Sequence, residues 1–386
     1  MVRKRVYLDY AATTPVDQQV VDAMTPYFNT IFGNPSSIHF YGQEAEHTLE
    51  QSRERVAVLL GGHPSEIIFT SCGTESDNLA IRGVGLARSE ATGARRILTT
   101  AVEHHAVSHT IEQLVKYYGF SAEIIPVDSD GLVDPDDVKK RLGGDVALVS
   151  IIHANNEIGS INPVEQIGNI CRGFGIPFHT DAVQAAAHLP MQRTAEWADL
   201  VSIGAHKFYG PKGAGALYKK SNISLYPAQT GGSQETGLRA GTENVPYIVG
   251  LATAFELTQI EILQRNKKSQ ILRDRIIDGV LANVTRSRLT GHRTQRLPNH
   301  ASFSFEGVDG NQLLMNLDAA GFACSSGSAC KVGDPKPSGV LLAIGLSPAW
   351  ALGSLRVTLG KDSSAEEVDG FLDVLPEMVA RTRSQG

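Results

Sequence analysis

Short apolar runs alternate with stretches of helical period between about residues 64 and 220. The runs Glu66–Ser71, Arg96–Thr100, Glu123–Val127, Val146–His153, Ile176–Thr180 and Leu200–Ile203 read as buried strands. Between them, Val164, Ile167, Cys171 and Phe174 keep one helical face, as do Leu49, Val56 and Leu60 before Gly61-Gly62. Such alternation predicts a mostly parallel α/β sheet, in which ligands sit at the carboxyl ends of strands. The polar residues that end these runs are therefore the first candidates for function: Glu103-His104-His105, His153-Ala154-Asn155-Asn156 and Thr180-Asp181. After about residue 255 the pattern changes to a charged amphipathic helix (Leu272, Ile276, Val280, Val284) and the alternating Ser302-Phe303-Ser304-Phe305. This predicts a second, α+β domain, and with no Pro/Ser-rich linker in between, a helix near Val245–Leu263 is expected to join two closely packed domains.

Composition narrows the function. With 35 Lys+Arg against 41 Asp+Glu, the net charge of −6 offers no basic excess for a nucleic-acid backbone. Four cysteines in 386 residues are too few for a disulfide framework, which fits a reducing, cytoplasmic compartment. Asp9 interrupts the N-terminal segment before any apolar stretch of signal length, and no apolar run long enough to span a membrane follows, so neither export nor a membrane partner is expected. The 38 glycines exceed ordinary usage and, with no repeat to absorb them, mark tight turns and points of close ligand approach.

The sharpest local feature is His206-Lys207, set just after a buried strand and before the turn Gly210-Pro211-Lys212-Gly213. Partial desolvation at a strand end eases loss of the lysine proton, as a Schiff-base lysine requires, whereas the plain alternative is a solvated turn lysine. Asp181 ends its run where an acid could hold a protonated pyridine nitrogen, with Gln184 one turn on; the alternative is a helix N-cap. Thr70-Ser71-Cys72-Gly73-Thr74-Glu75-Ser76 joins a strand to the helical stretch from Asp77, an arrangement that exposes backbone N–H groups to a phosphate. No Walker lysine motif or complete G-x-G-x-x-G competes with it. Half the cysteines lie in Ala323–Pro337, a Gly/Pro-punctuated loop in which Lys331 stands beside Cys330, while Cys171 sits on an apolar helix stripe. His105 and His109 share a helical spacing but have no evident third ligand, so no metal is expected; His104 at a strand end is better placed to lie over a planar cofactor.

Taken together, Leu8–Pro15, Gly33–Ser37, Thr74–Asn78, Glu103-His104, Asn155–Gly159, Asp181–Gln184, His206-Lys207, Arg239–Asn244, Ser325–Cys330 and Leu355-Arg356 resemble the cysteine desulfurases across nearly the whole chain. The Ser-Ser-Gly-Ser-Ala-Cys loop is similar to that of the housekeeping and nitrogen-fixation group within the class-V aminotransferase family. The resemblance implies a fold-type-I homodimer that uses pyridoxal 5'-phosphate and has sites at its subunit interface. It further implies a large domain over 15–258 with a seven-stranded sheet, and a small domain from 1–14 and 259–386 carrying a catalytic loop at about 323–337. By the same resemblance Lys207 would carry the cofactor, Asp181 would meet the pyridine nitrogen, Gln184 the phenolic oxygen, and His104 the ring face. Gly73, Thr74, His206 and, from the other subunit, Thr242 would hold the phosphate. Asn156 and Arg356 would position the cofactor and bind the substrate carboxylate. Lys207, His104 and Cys330 would be catalytic, taking sulfur from L-cysteine to a persulfide on Cys330, leaving L-alanine, for delivery to a sulfur-acceptor protein in iron–sulfur assembly or another thiolation pathway.

The chain departs from this pattern in four places. Gly204 stands where many relatives have a phosphate-binding serine, so Ser202 or the backbone is expected to substitute. Lys331 replaces the more usual Ser or Thr after the catalytic cysteine, with Pro335 and Pro337 on the loop's far side, and Cys324 is an extra thiol read as a small buried residue. Ending at Gln385-Gly386, the sequence shows no longer scaffold-binding tail. The competing readings are a selenocysteine lyase or aminotransferase, of which the latter needs no loop thiol, and a non-catalytic sulfur carrier, against which Lys207 argues.

Overall fold

The computed structural model describes residues 5–326 and 337–385. After a short strand at Val6–Tyr7 (β1), the chain lays down Ile67–Thr70 (β2), Arg96–Thr100 (β3), Ser121–Ile125 (β4), Val146–Ser150 (β5), Phe178–Asp181 (β6), Leu200–Gly204 (β7) and Gly215–Lys219 (β8). These last seven form one sheet in the order β2-β8-β7-β6-β5-β3-β4, parallel except where β8 runs against both its neighbours. Successive side chains on a strand point to opposite faces, so both faces must be covered. Ile97, Leu148 and Leu200 enter one buried layer, while the next residues, Leu98, Val149 and Val201, enter the other.

Where the apolar pattern and the strands disagree, the cause is visible. The run Val146–His153 leaves the regular strand after Ser150 because side chains take over the Ile152 backbone groups: its N–H donates to Glu103 Oε1 at 2.9 Å and its carbonyl accepts from Asn162 Nδ2 at 3.0 Å, while the N–H groups of Ile151 and His153 still donate to the His179 and Asp181 carbonyls on β6. The β4 strand begins ahead of its apolar run because it lies at the sheet edge, where its first two residues are exposed. The β8 strand lies beyond the runs read from the pattern, hidden after a glycine-rich turn.

A second core follows. Ser287–Leu289 (β9), His300–Phe305 (β10) and Ser354–Thr358 (β12) form an antiparallel sheet, and Phe322–Ala323 (β11) pairs in parallel with β1. Leu8, Phe303, Phe305, Val357 and Phe371 pack here. The two helices read separately near Val245–Leu263 and around Leu272–Val284 are one, Val245–Asn283, because nothing between them breaks helical backbone. It is 39 residues and so about 58 Å long. Ile248, Leu251 and Phe255 join the large core, and Leu272, Ile276 and Val280 the smaller one.

The N-terminal segment straps the two cores together. The Thr358 N–H donates to the Leu8 carbonyl at 2.8 Å, and the Thr14 N–H donates to the His206 carbonyl at 3.0 Å. Among the described residues, no helix is long and apolar enough to cross a membrane.

Candidate active site

The carboxyl ends of β2, β3, β6 and β7 converge on one hollow. It is lined by Gly73, Thr74, His104, Asn156, Asp181, Gln184, His206, Lys207 and Arg356, together with Ala11, Ala12, Cys72, Asp77, Ile152 and Val183. The sequence-derived candidates thus meet in space from segments spread over most of the chain.

One end of the hollow is a helix N-terminus. After β2 the helix Gly73–Thr92 starts at Gly73, earlier than the periodicity suggested, because its polar first turn carries no apolar stripe. Cys72 at the N-cap offers no side-chain cap, so the first-turn N–H groups and the positive helix end point at the hollow. Glycine is required at 73: a Cβ there would meet Val183 Cγ2 at 2.5 Å. A Cβ on Gly204 would lie 3.3 Å from the Gly73 nitrogen, so the missing serine would have faced this cradle. Ser202 does not substitute for it. Its hydroxyl lies 3.0 Å from His179 Nε2 in the interior and also bonds Asp77, which leaves the backbone N–H groups to serve the anion.

Asp181 closes β6, buried, with Oδ1 accepting from the Val183 N–H at 2.9 Å. That is an Asx turn and not the helix N-cap of the plain alternative, since the next helical turn, Ala185–Ala187, has Gln184 at its N-cap, and it leaves the carboxylate in the hollow's wall. Burial raises its pKa, and the neighbouring His104 and Lys207 oppose that rise. His104 caps the helix His105–Tyr118, its Nδ1 accepting from the Ala106 N–H at 3.1 Å. This bond fixes any proton of the neutral ring on Nε2. Glu103 lies behind, accepting from Thr100 Oγ1 at 2.7 Å, its pKa pushed up to about 8 chiefly by burial.

Lys207 follows β7 in a short helical turn, Ala205–Lys207, and Nζ donates to the carbonyls of Ala11 and Ala12 at 2.7 and 2.8 Å. Burial, and then the charge of Arg356, lower its pKa to about 8. Gln184 Nε2 donates to Ala11 at 2.8 Å, so the same N-terminal strap orients both amine and amide. His206 Nδ1 lies 3.2 Å from Thr13 Oγ1, and burial lowers its pKa to about 4, so the ring is neutral at physiological pH. Arg356 on β12 donates from Nη1 to the Asn156 carbonyl at 2.9 Å and from Nη2 to Asp9 Oδ1 at 2.8 Å. Among the described residues its buried Nε has no hydrogen-bond partner.

Other candidates lie elsewhere. Thr242 is exposed at a separate hollow with Ser71, Arg239 and Tyr247. Cys330 and Lys331 fall outside the described residues, as does most of the 323–337 loop. Cys171 is buried in the large core with its thiol pushed up to about 12, and burial likewise pushes the Cys324 thiol far up, so neither is a ready thiolate. His105 and His109 stack on each other at 4.8 Å.

Sequence reasoning assigned no role to Ala11 and Ala12, which act through backbone carbonyls, nor to Asp9, which holds Arg356. Asp77, one turn into the helix and inside the Thr74–Asn78 motif, is a further residue of the hollow's wall. Its place four residues after Gly73, on the same helical face, was the available signal.

A family model described as class-V aminotransferase matches residues 6–371. The chain is 46% identical over 386 residues to a protein of Dictyoglomus turgidum (strain DSM 6724 / Z-1310) described as cysteine desulfurase IscS, covering 99% of this chain and 96% of that one. It is 45% identical over 381 residues to one of the same description from Methanosarcina thermophila, covering 99% and 93%. Among solved structures, a NifS-like protein superposes with a TM-score of 0.90 at 37% identity, covering 98% of this chain and 100% of that one. A structure described as SspA in complex with cysteine superposes at 0.79 with 34% identity, covering 92% and 98%.

Proposed function

The chain belongs to the class-V aminotransferase family and, within it, to the cysteine desulfurases, and from that premise we propose that it removes sulfur from L-cysteine and carries it on Cys330. The observation that carries the reading is the convergence of an amine with a lowered pKa, a buried carboxylate, an uncapped helix N-terminus and an arginine on one hollow.

These residues fit pyridoxal 5'-phosphate, on the strength of the glycine-lined cradle at Gly73, the uncapped helix N-terminus beside it, and Asp181 and Lys207 in the same wall. Gly73, Thr74 and His206 would hold the phosphate, with Thr242 of the partner subunit. Asp181 would hold the ring nitrogen, Gln184 the phenolic oxygen, His104 the ring face, and Lys207 would carry the group covalently. When bound, pyridoxal phosphate supplies an electron sink for bonds to the substrate's α-carbon.

The chain's own residues do the rest. Arg356, already oriented by Asp9 and the Asn156 carbonyl, presents Nε and its remaining N–H groups to the substrate carboxylate. Lys207, neutral above about pH 8, takes the α-proton. The Cys330 sulfur forms a bond to the substrate sulfur as the substrate's Cβ–S bond breaks. The electron pair left on carbon takes up a proton, giving alanine, and the second sulfur stays on Cys330 for a sulfur-acceptor protein.

The same reading divides the chain into a large domain at 15–258 and a small domain from 1–14 and 259–386, with the division inside the long helix. A homodimer is supported by an exposed aromatic and aliphatic surface at Phe28, Phe32, Ile38, Phe40 and Tyr41; Ile38 is 93% exposed in the single chain.

Incubating cofactor-loaded protein with L-cysteine and a thiol reductant tests the reading. Alanine and sulfide should form in equal amounts. Pyruvate-type keto products without sulfide would identify an aminotransferase instead. Two substitutions sharpen the assignment. Arg356→Lys, which loses the planar fork, should raise KM for L-cysteine about 10- to 100-fold with a smaller effect on kcat. An unchanged KM would remove Arg356 from the substrate site. Gly204→Ser should tighten cofactor binding by about 3- to 10-fold, the worth of one added hydrogen bond at the cradle. Titrating apoprotein with pyridoxal phosphate measures it, and weakened binding would mean that the serine Cβ crowds Gly73.

A further inference from the structure

Beneath the hollow, four buried side chains form a polar chain. Ser150 Oγ on β5 lies 2.8 Å from His179 Nδ1 on β6, His179 Nε2 lies 3.0 Å from Ser202 Oγ on β7, and the Ser202 hydroxyl bonds Asp77. Each is at most 1% exposed. Such a chain has two polarities, set by the charge at its end. If Asp77 is ionised, Ser202 donates to it and His179 carries its proton on Nε2. If Asp77 is neutral, it donates to Ser202, Ser202 donates to His179 Nε2, and His179 carries its proton on Nδ1.

The surroundings choose between them. One ligand atom each of Asp77, His104 and Asp181 lies within 4.8 Å of the others, so two buried carboxyls share one wall and cannot both hold a charge. Asp181 has the Val183 N–H, and its charge is favoured by His104 and Lys207. Among the described residues, no lysine or arginine is paired with Asp77. His179 is neutral, its pKa pushed down to about 3 by burial, and Glu103, Cys72 and Asp181 all disfavour a further negative charge. Asp77 lines the hollow, and its Oδ1, 3.6 Å from His179 Nε2, has no hydrogen-bond partner among the described residues.

We propose that Asp77 is a positioning residue of the cofactor site: it stands protonated beside Asp181, donates through Ser202 to His179, and leaves Asp181 as the single carboxylate at the ring nitrogen. Its carboxyl keeps a polar, uncharged wall beside that carboxylate. The inference rests on the reading that the hollow takes pyridoxal phosphate.

Two measurements test it. Long-range ¹H–¹⁵N correlation spectra of histidine-labelled protein report the His179 tautomer, and equilibrium titration of apoprotein with pyridoxal phosphate reports affinity for Asp77→Asn and Asp77→Leu. Wild type should show His179 protonated on Nδ1. Asp77→Asn, which keeps a neutral donor, should preserve that tautomer and raise the Kd less than threefold, while Asp77→Leu should raise it at least tenfold. A proton on Nε2 in wild type, a larger loss in Asp77→Asn, or a smaller loss in Asp77→Leu would overturn the proposal. If Asp77→Leu fails to fold, the tautomer and Asp77→Asn decide. Failure of the wild type to take up pyridoxal phosphate would refute the functional reading instead, and the tautomer of the apoprotein would still decide the charge of Asp77.

Discussion

Replacing Lys207 by alanine will lower L-cysteine turnover by about four orders of magnitude, the upper range for loss of a positioned acid–base group. The size follows from how the amine is held. Two carbonyls, Ala11 at 2.7 Å and Ala12 at 2.8 Å, aim Nζ, and burial lowers its pKa to about 8. An ordinary lysine at that pH is almost wholly protonated and useless as a base. The wild-type rate should therefore rise with pH and level off above about 8, as the neutral amine accumulates, and this limb should vanish in Lys207→Ala. Alanine formation measured between about pH 6.5 and 9.5 checks both parts. Partial rescue by added small amines would identify the missing group as a base. Turnover within tenfold of wild type would remove Lys207 from the chemistry.

Cys330→Ala should have the next largest effect, a fall of about a thousandfold or more in desulfuration, because the sulfur acceptor itself is gone. The pattern of losses is more telling than the size. Cofactor binding should persist, since Lys207, Asp181 and the cradle at Gly73 are intact. Mass spectrometry after a single turnover should find one extra sulfur on the Cys330 peptide of wild type. The same label on Cys324, which is half-buried, or on the buried Cys171 would contradict the raised pKa of both thiols, and a Cys330→Ala enzyme that still releases sulfide at the wild-type rate would end the persulfide mechanism.

The sheet was legible in the sequence because a parallel strand buried on both faces reads as an unbroken apolar run, and Arg96–Thr100 matches to the residue. Apolar pattern and strand part where something else governs: exposure at the sheet edge for β4, or side chains capturing the Ile152 backbone after Ser150. Asp181, His104 and Lys207 stood out because an ionisable side chain at the end of a buried strand is conspicuous. The carbonyls of Ala11 and Ala12 could not be seen that way, since every residue has a carbonyl and only the tertiary path brings these two to Nζ. Asp77 was hidden for a different reason. An acid in the first turns of a helix is commonplace, and only the meeting of three elements shows that it is sealed against Ser202 and His179.

The strap formed by the first residues has a consequence for how the protein is made. Residues 6–14 are synthesised some three hundred residues before their pairing partners Phe322–Ala323 and Thr358. Lys207 is therefore synthesised long before its two carbonyl partners are fixed and before Arg356 exists to lower its pKa. A nascent chain carries the amine without its pocket, so a reactive aldehyde meets it there as an ordinary, mostly protonated lysine. The lowered pKa of Lys207 is thus a property of the assembled strap and not of its local sequence.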